Sequence, residues 1–143
     1  MLFRFGPAAE APGLATSILD LANAERSRAG VAALHANAQL TQAAQIQAGQ
    51  NASAGRLDHV MPESRYPRVE DRLAAVGNRW SAYGENIAYG QRGAMEVMAS
   101  WMGSSGHRGN ILNANFTELG VGYATDSAGR MYYAQVFARP ASN

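Results

Sequence analysis

GHRGNILNANFTELGVG, residues 106–122, gathers a histidine, an arginine, a glutamate, a phenylalanine and four glycines into seventeen positions, with four asparagine or threonine side chains among them. It stands between two patterns of different period. Upstream, AMEVMASWM (94–102) sets Met95, Met98 and Met102 on one side with Val97 and Trp101 beside them, a helical spacing that GSSG stops. Downstream of Glu118, Leu119, Val121 and Tyr123 alternate with small residues, DSAG supplies a turn, and MYYAQVFA (131–138) returns as a second strand. The pair is an antiparallel hairpin, so the quoted stretch is where helix gives way to sheet.

Working back toward the N-terminus, residues 1–15 read as an irregular Pro/Gly opening and 16–143 as a single domain. Thr16 or Ser17 caps a first helix reaching about Ala29, with Leu14, Ile18, Leu21 and Ala22 on one stripe and Gly30 as its stop. A second helix begins near Asn37 and carries Leu40, Ala44 and Ala48 at fourfold spacing, small residues that imply close packing against a neighbour. GRLDHVMPESRYP (55–67) is loop and contains His59, and RVEDRLAAVG (68–77) predicts a short third helix from Val69, Leu73 and Val76. WSAYGENIAYG (80–90) mixes aromatics with glycines and reads as a strand plus a buried loop. Helices first and a hairpin last argue for an α+β fold.

Composition narrows the function. A chain of 143 residues buries about two thirds of its unfolded surface, and with 47% hydrophobic and 16% charged residues it is too apolar to be disordered. The net charge is +1 and the twelve basic residues, all arginine, form no dense stripe, so no nucleic acid is expected as a partner. The absence of cysteine excludes disulfides, thiolate metal sites and cysteine nucleophiles. No apolar run approaches the roughly 18 residues of a membrane span, and MLFRFGPAAEAPG lacks the apolar segment of a signal peptide. A monomer is expected.

Four separated segments each offer one ionisable residue beside a glycine or at an element end: His59, Glu85 in GENIA, His107 in GHRGN, and Glu118. A histidine facing a glutamate has one ring nitrogen occupied and its tautomer fixed, while the other nitrogen is left to bind a metal or move a proton. Two such pairs on opposite walls of a cleft would hold one divalent ion with water completing the shell. The intervals of 26, 22 and 11 residues match no metal-ligand motif, and on residue types alone, buried His and Glu satisfying loop backbone are the commoner arrangement. GSSG is not a nucleophile elbow, and Ser104 is better read as a cap for the turn through GHRGNIL. The methionines 95, 98 and 102 read as core or cleft wall, His35 as a surface residue, and the tyrosines 83, 89, 123, 132 and 133 as half-buried sheet residues.

The order LANAERSRAGVAAL, AQIQAGQNASAGRLDH, GENIAYG, VMASWMGSSGHRGNIL, FTELGVGYA and MYYAQVFA resembles the CAP superfamily (the SCP/PR-1 domain) in its bacterial form, over roughly residues 16 to 138. The resemblance implies a three-layer α-β-α sandwich with a mainly antiparallel central sheet. It also implies an open cleft, in which two histidines and two acidic residues bind Zn²⁺ or another divalent ion in some members. Carried over by position, His59 matches the histidine after the second helix, Glu85 the acid of GEN, and His107 and Glu118 the GHR and TE(V/I)GVG positions. Ser105 stands where bacterial relatives usually have proline, which loosens that turn. On this reading Arg108, Asn110 and Asn113 tie down irregular backbone, while Phe116, Ile111 and Leu112 are core anchors.

Two functions follow from the resemblance. The first is an exported binding module, extracellular or periplasmic, whose cleft captures a small lipid, peptide or other cell-envelope ligand, with or without the metal. The alternative is a metal-dependent hydrolase of peptidase or nuclease type, with His59 and His107 as ligands, a bound water as nucleophile and Glu85 or Glu118 as base. Two histidines are one protein ligand short of a usual catalytic zinc shell, so a carboxylate would have to ligate as well and would not easily serve as base.

Overall fold

Asn37 sets the helix on which the sheet rests. Its backbone is extended, its side chain accepts the Leu40 N–H at 2.9 Å, and the helix it caps, α2 (Ala38–Ala54), ends at Gly55 in the left-handed conformation, φ 64°. The computed structural model describes the backbone of residues 6–142 and the side chains of residues 13–142. Before α2 come α1 (Gly6–Arg28) and a two-residue strand β1 (His35–Ala36). After it come α3 (Val69–Ala75), β2 (Trp80–Tyr89), α4 (Ala94–Met102), α5 (Ser105–Ile111), β3 (Glu118–Thr125) and β4 (Met131–Pro140).

The expected hairpin is β3 and β4, paired antiparallel from Glu118↔Ala138 to Thr125↔Met131. The sheet order is β1-β3-β4-β2, with β1 parallel to β3 and the other pairs antiparallel. On one face α2 and α3 bury Leu40, Ala44, Ala48 and Leu73 against Ile87, Ala134, Val136 and Ala138. On the other, Ile18 and Ala22 of α1, Val97 and Trp101 of α4 and Ile111 of α5 pack with Phe116, Leu119, Val121, Tyr133 and Phe137. This is an α+β sandwich with the sheet between helices.

Close approach of α2 depends on the two glycines that end the opening motif. A Cβ on Gly120 would overlap the backbone of Leu40 and Thr41, and one on Gly122 that of Ala44 and Gln45. With alanines at 43, 44 and 48 on the helix side, the backbones meet with little side chain between them, as the small-residue stripe predicted.

Several boundaries differ from the sequence reading. α1 begins at Gly6, not Thr16, because Ala8, Ala9, Glu10 and Ala11 favour helix and Pro7 falls in a first turn that needs no N–H; residues 1–5 of the expected opening lie outside the described residues. The aromatic and glycine mixture at 80–90 is one ten-residue strand with no loop, since its alternate residues face two different helix layers. His35, though exposed as expected, belongs to a short strand. Of the methionine stripe, Met98 is buried, but Met95 is 77% exposed and borders an open concavity of about 630 Å³ between α1 and the start of α4. It is not core.

Candidate functional site

The GEN motif holds three roles in three consecutive residues. At Gly84 an added Cβ would lie 2.9 Å from Phe116 and 3.0 Å from Asn110, so no side chain fits there. Glu85 points to the α2/α3 side, whereas Asn86, fully buried, points to the other face and donates to the carbonyl of His107 (3.0 Å) and to Gln135 Oε1 (3.1 Å). Asn110 returns the contact, donating to Asn86 Oδ1 at 2.9 Å and to the Glu85 carbonyl at 3.3 Å. β2 is an edge strand, and Asn110 together with the Trp101 indole, which donates to the Ile87 carbonyl at 3.1 Å, caps the outer carbonyls that a neighbouring strand would otherwise take. Two asparagines thus fix α5, and with it His107, against the strand carrying Glu85.

Glu85 meets His59: His59 Nδ1 lies 2.8 Å from Glu85 Oε1, with the carboxylate 2% and the imidazole 51% exposed. The carboxylate also has a second partner that the sequence reading missed. Arg72, fully buried on α3, brings Nη2 to 3.3 and 3.2 Å from the two Glu85 oxygens. The same guanidinium donates to the His59 carbonyl (3.1 Å) and through Nη1 to those of Tyr66 (2.9 Å) and Pro67 (3.1 Å). It therefore clamps both ends of the His59 loop. From below, Gln47 and Asn51 of α2 donate to the Asp58 carbonyl at 2.7 and 3.0 Å, and Gln50 exchanges two hydrogen bonds with Tyr66.

These surroundings separate the two histidines electrostatically. The hydrogen bond that its ring donates to Glu85 raises the pKa of His59 above its ordinary value. His107 is held below its ordinary value, first by burial and then by the nearby His59 charge. Two residues before Glu85 on the same strand face, burial followed by the nearby Glu70 carboxylate pushes the Tyr83 hydroxyl up to about 12.

Glu118 is not brought to this cluster. It opens β3, where Asn37 Nδ2 donates to its Oε1 at 3.3 Å, and its register through Ala138 to Tyr83 leaves it two strands across the sheet from Glu85, on the order of 10 Å. Among the described residues no three His, Asp or Glu side chains gather in a way that would hold a metal ion. The implied ion does not fit these residues: both Glu85 oxygens face Arg72, the second acid is elsewhere, and His59 Nε2 with the His107 ring makes only two donors.

The polarity of the opening motif also has a different owner from the one expected. Arg108 is exposed, and Arg26, 1% exposed on α1, ties the corner by donating to the carbonyls of Ile111 (2.9 Å), Asn113 (3.0 Å) and Phe116 (3.0 Å), and to that of Ala32 (2.7 Å). Asn113 accepts the Asn115 N–H in a local turn, and Ile111 and Phe116 are buried as predicted, with Leu112 partly so. Ser104 precedes α5 with extended backbone, but its hydroxyl makes no capping bond. Ser105 is the first helical residue, a position where proline is equally at home, so its presence leaves the turn intact. Arg26, Arg72, Gln47 and Asn51 shared one signal in the sequence: each is a polar residue on a helix face that is otherwise apolar (Ile18 and Ala22, Val69 and Val76, and Leu40, Ala44 and Ala48).

The comparisons with known proteins agree with this architecture. The family model described as the cysteine-rich secretory protein family, CAP, matches residues 19–137. The uncharacterized Bacillus subtilis protein YkwD is 39% identical over 106 residues, and the uncharacterized membrane protein YlbC of the same organism is 32% identical over 122. The matches take in 74% and 85% of this chain but only 40% and 33% of those relatives. Among solved structures, an extracellular protein of Bacillus anthracis containing an SCP domain superposes with a TM-score of 0.83 at 28% identity, covering 96% of this chain and 45% of that one. An outer surface protein of Borrelia burgdorferi shares the fold at a TM-score of 0.78 and 15% identity, covering 99% of this chain and all of that one. Among the described residues no helix is long and apolar enough to cross a membrane. With its family model spanning nearly the whole sandwich, and without a cysteine of its own, the chain belongs to the cysteine-rich secretory protein (CAP) family.

Proposed function

We propose that this CAP domain is the ligand-capture module of an exported cell-envelope protein, and that His59 presents its free Nε2 to an acceptor group of a small lipid, peptide or glycan fragment. Export is supported by the relatives, one an extracellular protein and one an outer surface protein. The observation that carries the reading is the doubly engaged Glu85. Its oxygens are taken by Arg72 and His59, so it acts as an orienting group for an imidazole that is half exposed to solvent. The hydrolase alternative needs Glu85 or Glu118 free as a base, and the one is ion-paired and the other bonded to Asn37 on a different strand. His107, neutral at working pH by the direction of its shift, would face the same ligand from α5.

The test is to follow the ring resonances of His59 and His107 by NMR while adding palmitate, a peptidoglycan stem tetrapeptide or N-acetylglucosamine dimer. Capture predicts a saturable shift of the His59 ring with one of these probes, lost in His59→Ala. Shifts that persist in His59→Ala, or saturable binding that leaves both rings unmoved, would place the ligand elsewhere.

A further inference from the structure

We infer that Arg72 is a resident cation at Glu85 and that it excludes divalent metal ions from the His59, Glu85 and His107 cluster. The guanidinium is fully buried, and its Nη2 faces both carboxylate oxygens. A metal ion ligated by Glu85 would have to displace that group or settle beside a fixed positive charge in a site shielded from water. Displacement is blocked, because Arg72 is also held by three carbonyls, of His59, Tyr66 and Pro67. These belong to the loop that carries His59 itself. Swinging the arginine aside in the native chain would strip those carbonyls of their buried donor, a cost that any metal arriving at Glu85 would have to meet.

The remaining donors do not make up the shell. With Nδ1 of His59 directed at Glu85, only Nε2 of that ring and the His107 ring are left, and two imidazoles fall short of the three protein ligands of an ordinary zinc site. Arg72 thus acts as a specificity-determining residue. It holds the Glu85 carboxylate turned toward His59, so that the cluster presents an oriented imidazole where a metal would offer a Lewis acid. The inference does not depend on what the cleft captures.

The experiment is calorimetric titration of Zn²⁺ into the chelator-treated native chain, the His59→Ala/His107→Ala double variant, Arg72→Met, and Arg72→Met/Glu85→Gln. The native chain is expected to bind Zn²⁺ no better than the double histidine variant. Arg72→Met frees the carboxylate and is expected to bind about tenfold more tightly or better, a gain lost again on adding Glu85→Gln. A purely structural arginine would lower the melting temperature without creating that site. Should Arg72→Met fail to fold by circular dichroism, Arg72→Gln, which retains donors for the loop carbonyls, takes its place. Zinc binding by the native chain that the double histidine variant lacks would overturn the inference and leave ligand capture standing. A folded Arg72 variant with no gain over native would overturn it as well.

Discussion

Replacing Arg26 by methionine tests whether the polar corner at 106–122 is held from α1. Methionine keeps the apolar stem but removes the donors that meet the carbonyls of Ala32, Ile111, Asn113 and Phe116 at 2.7 to 3.0 Å. A buried carbonyl left without a partner costs about 1–3 kcal/mol, so four at the low end come to about 4 kcal/mol. Two effects reduce this. Asn113 is exposed, so water can reach its carbonyl, and methionine avoids the burial of a guanidinium with no carboxylate among its partners, the same burial that lowers the Arg26 pKa. A net loss of about 3 kcal/mol remains, a large share of the roughly 5–15 kcal/mol that holds a domain folded. In urea titration, with a slope of about 2 kcal/mol per molar, the midpoint should fall by about 1.5 M. Arg108→Met, on the exposed side of α5, should move it by no more than about 0.3 M. If the two variants shift the midpoint equally, the corner is held by something other than Arg26 and the assignment is wrong.

Gly120→Ala should prevent native folding or cost more than about 3 kcal/mol, because its methyl would enter the backbone of Leu40 and Thr41; a variant with native circular dichroism and an unchanged midpoint would refute the close helix–sheet contact. Arg72→Met and Glu85→Gln should each destabilise by about 3 kcal/mol through a stranded buried partner, while the double variant should lose clearly less than the sum. Additive losses would mean the two side chains do not form a pair. In an NMR pH titration, His59 should titrate above its ordinary value near 6.5 and His107 below it. The sign for stability follows: the His59 contribution is fully present below about pH 6.5 and is lost as pH rises through its raised pKa, whereas His107 favours the fold above about pH 6.5 and ceases to do so as pH falls through its lowered one. The reverse order of titration would contradict the Glu85 contact.

What the sequence revealed depended on whether a residue's role follows from local spacing. The hairpin was legible because Leu119, Val121 and Tyr123 alternate and Asp126 to Gly129 turn the chain, and α2 was legible because Asn37 is a cap and its alanines recur every fourth position. β1 was not, since two residues carry no period; it exists because the start of β3 and the residue before it offer the Leu119 and Thr117 carbonyls to the N–H groups of Asn37 and His35. The same division runs through the site. His59 and Glu85 were found by residue type and resemblance, and they meet. Glu118 was chosen by the same criteria, yet strand register decides its neighbours, and register sends it to Asn37. The residues that give the site its character lay unread inside helical stripes. An arginine at an apolar position looks like a break in the pattern, but when the residue is buried the break must be matched by acceptors from elsewhere in the chain. Arg26 gathers carbonyls from the 106–122 corner, and Arg72 gathers those of the His59 loop and the Glu85 carboxylate. Each cation fixes a segment that has no regular structure of its own. One segment carries His59 and the other follows the helix that carries His107, so the placement of both histidines draws on arginines that never reach the surface.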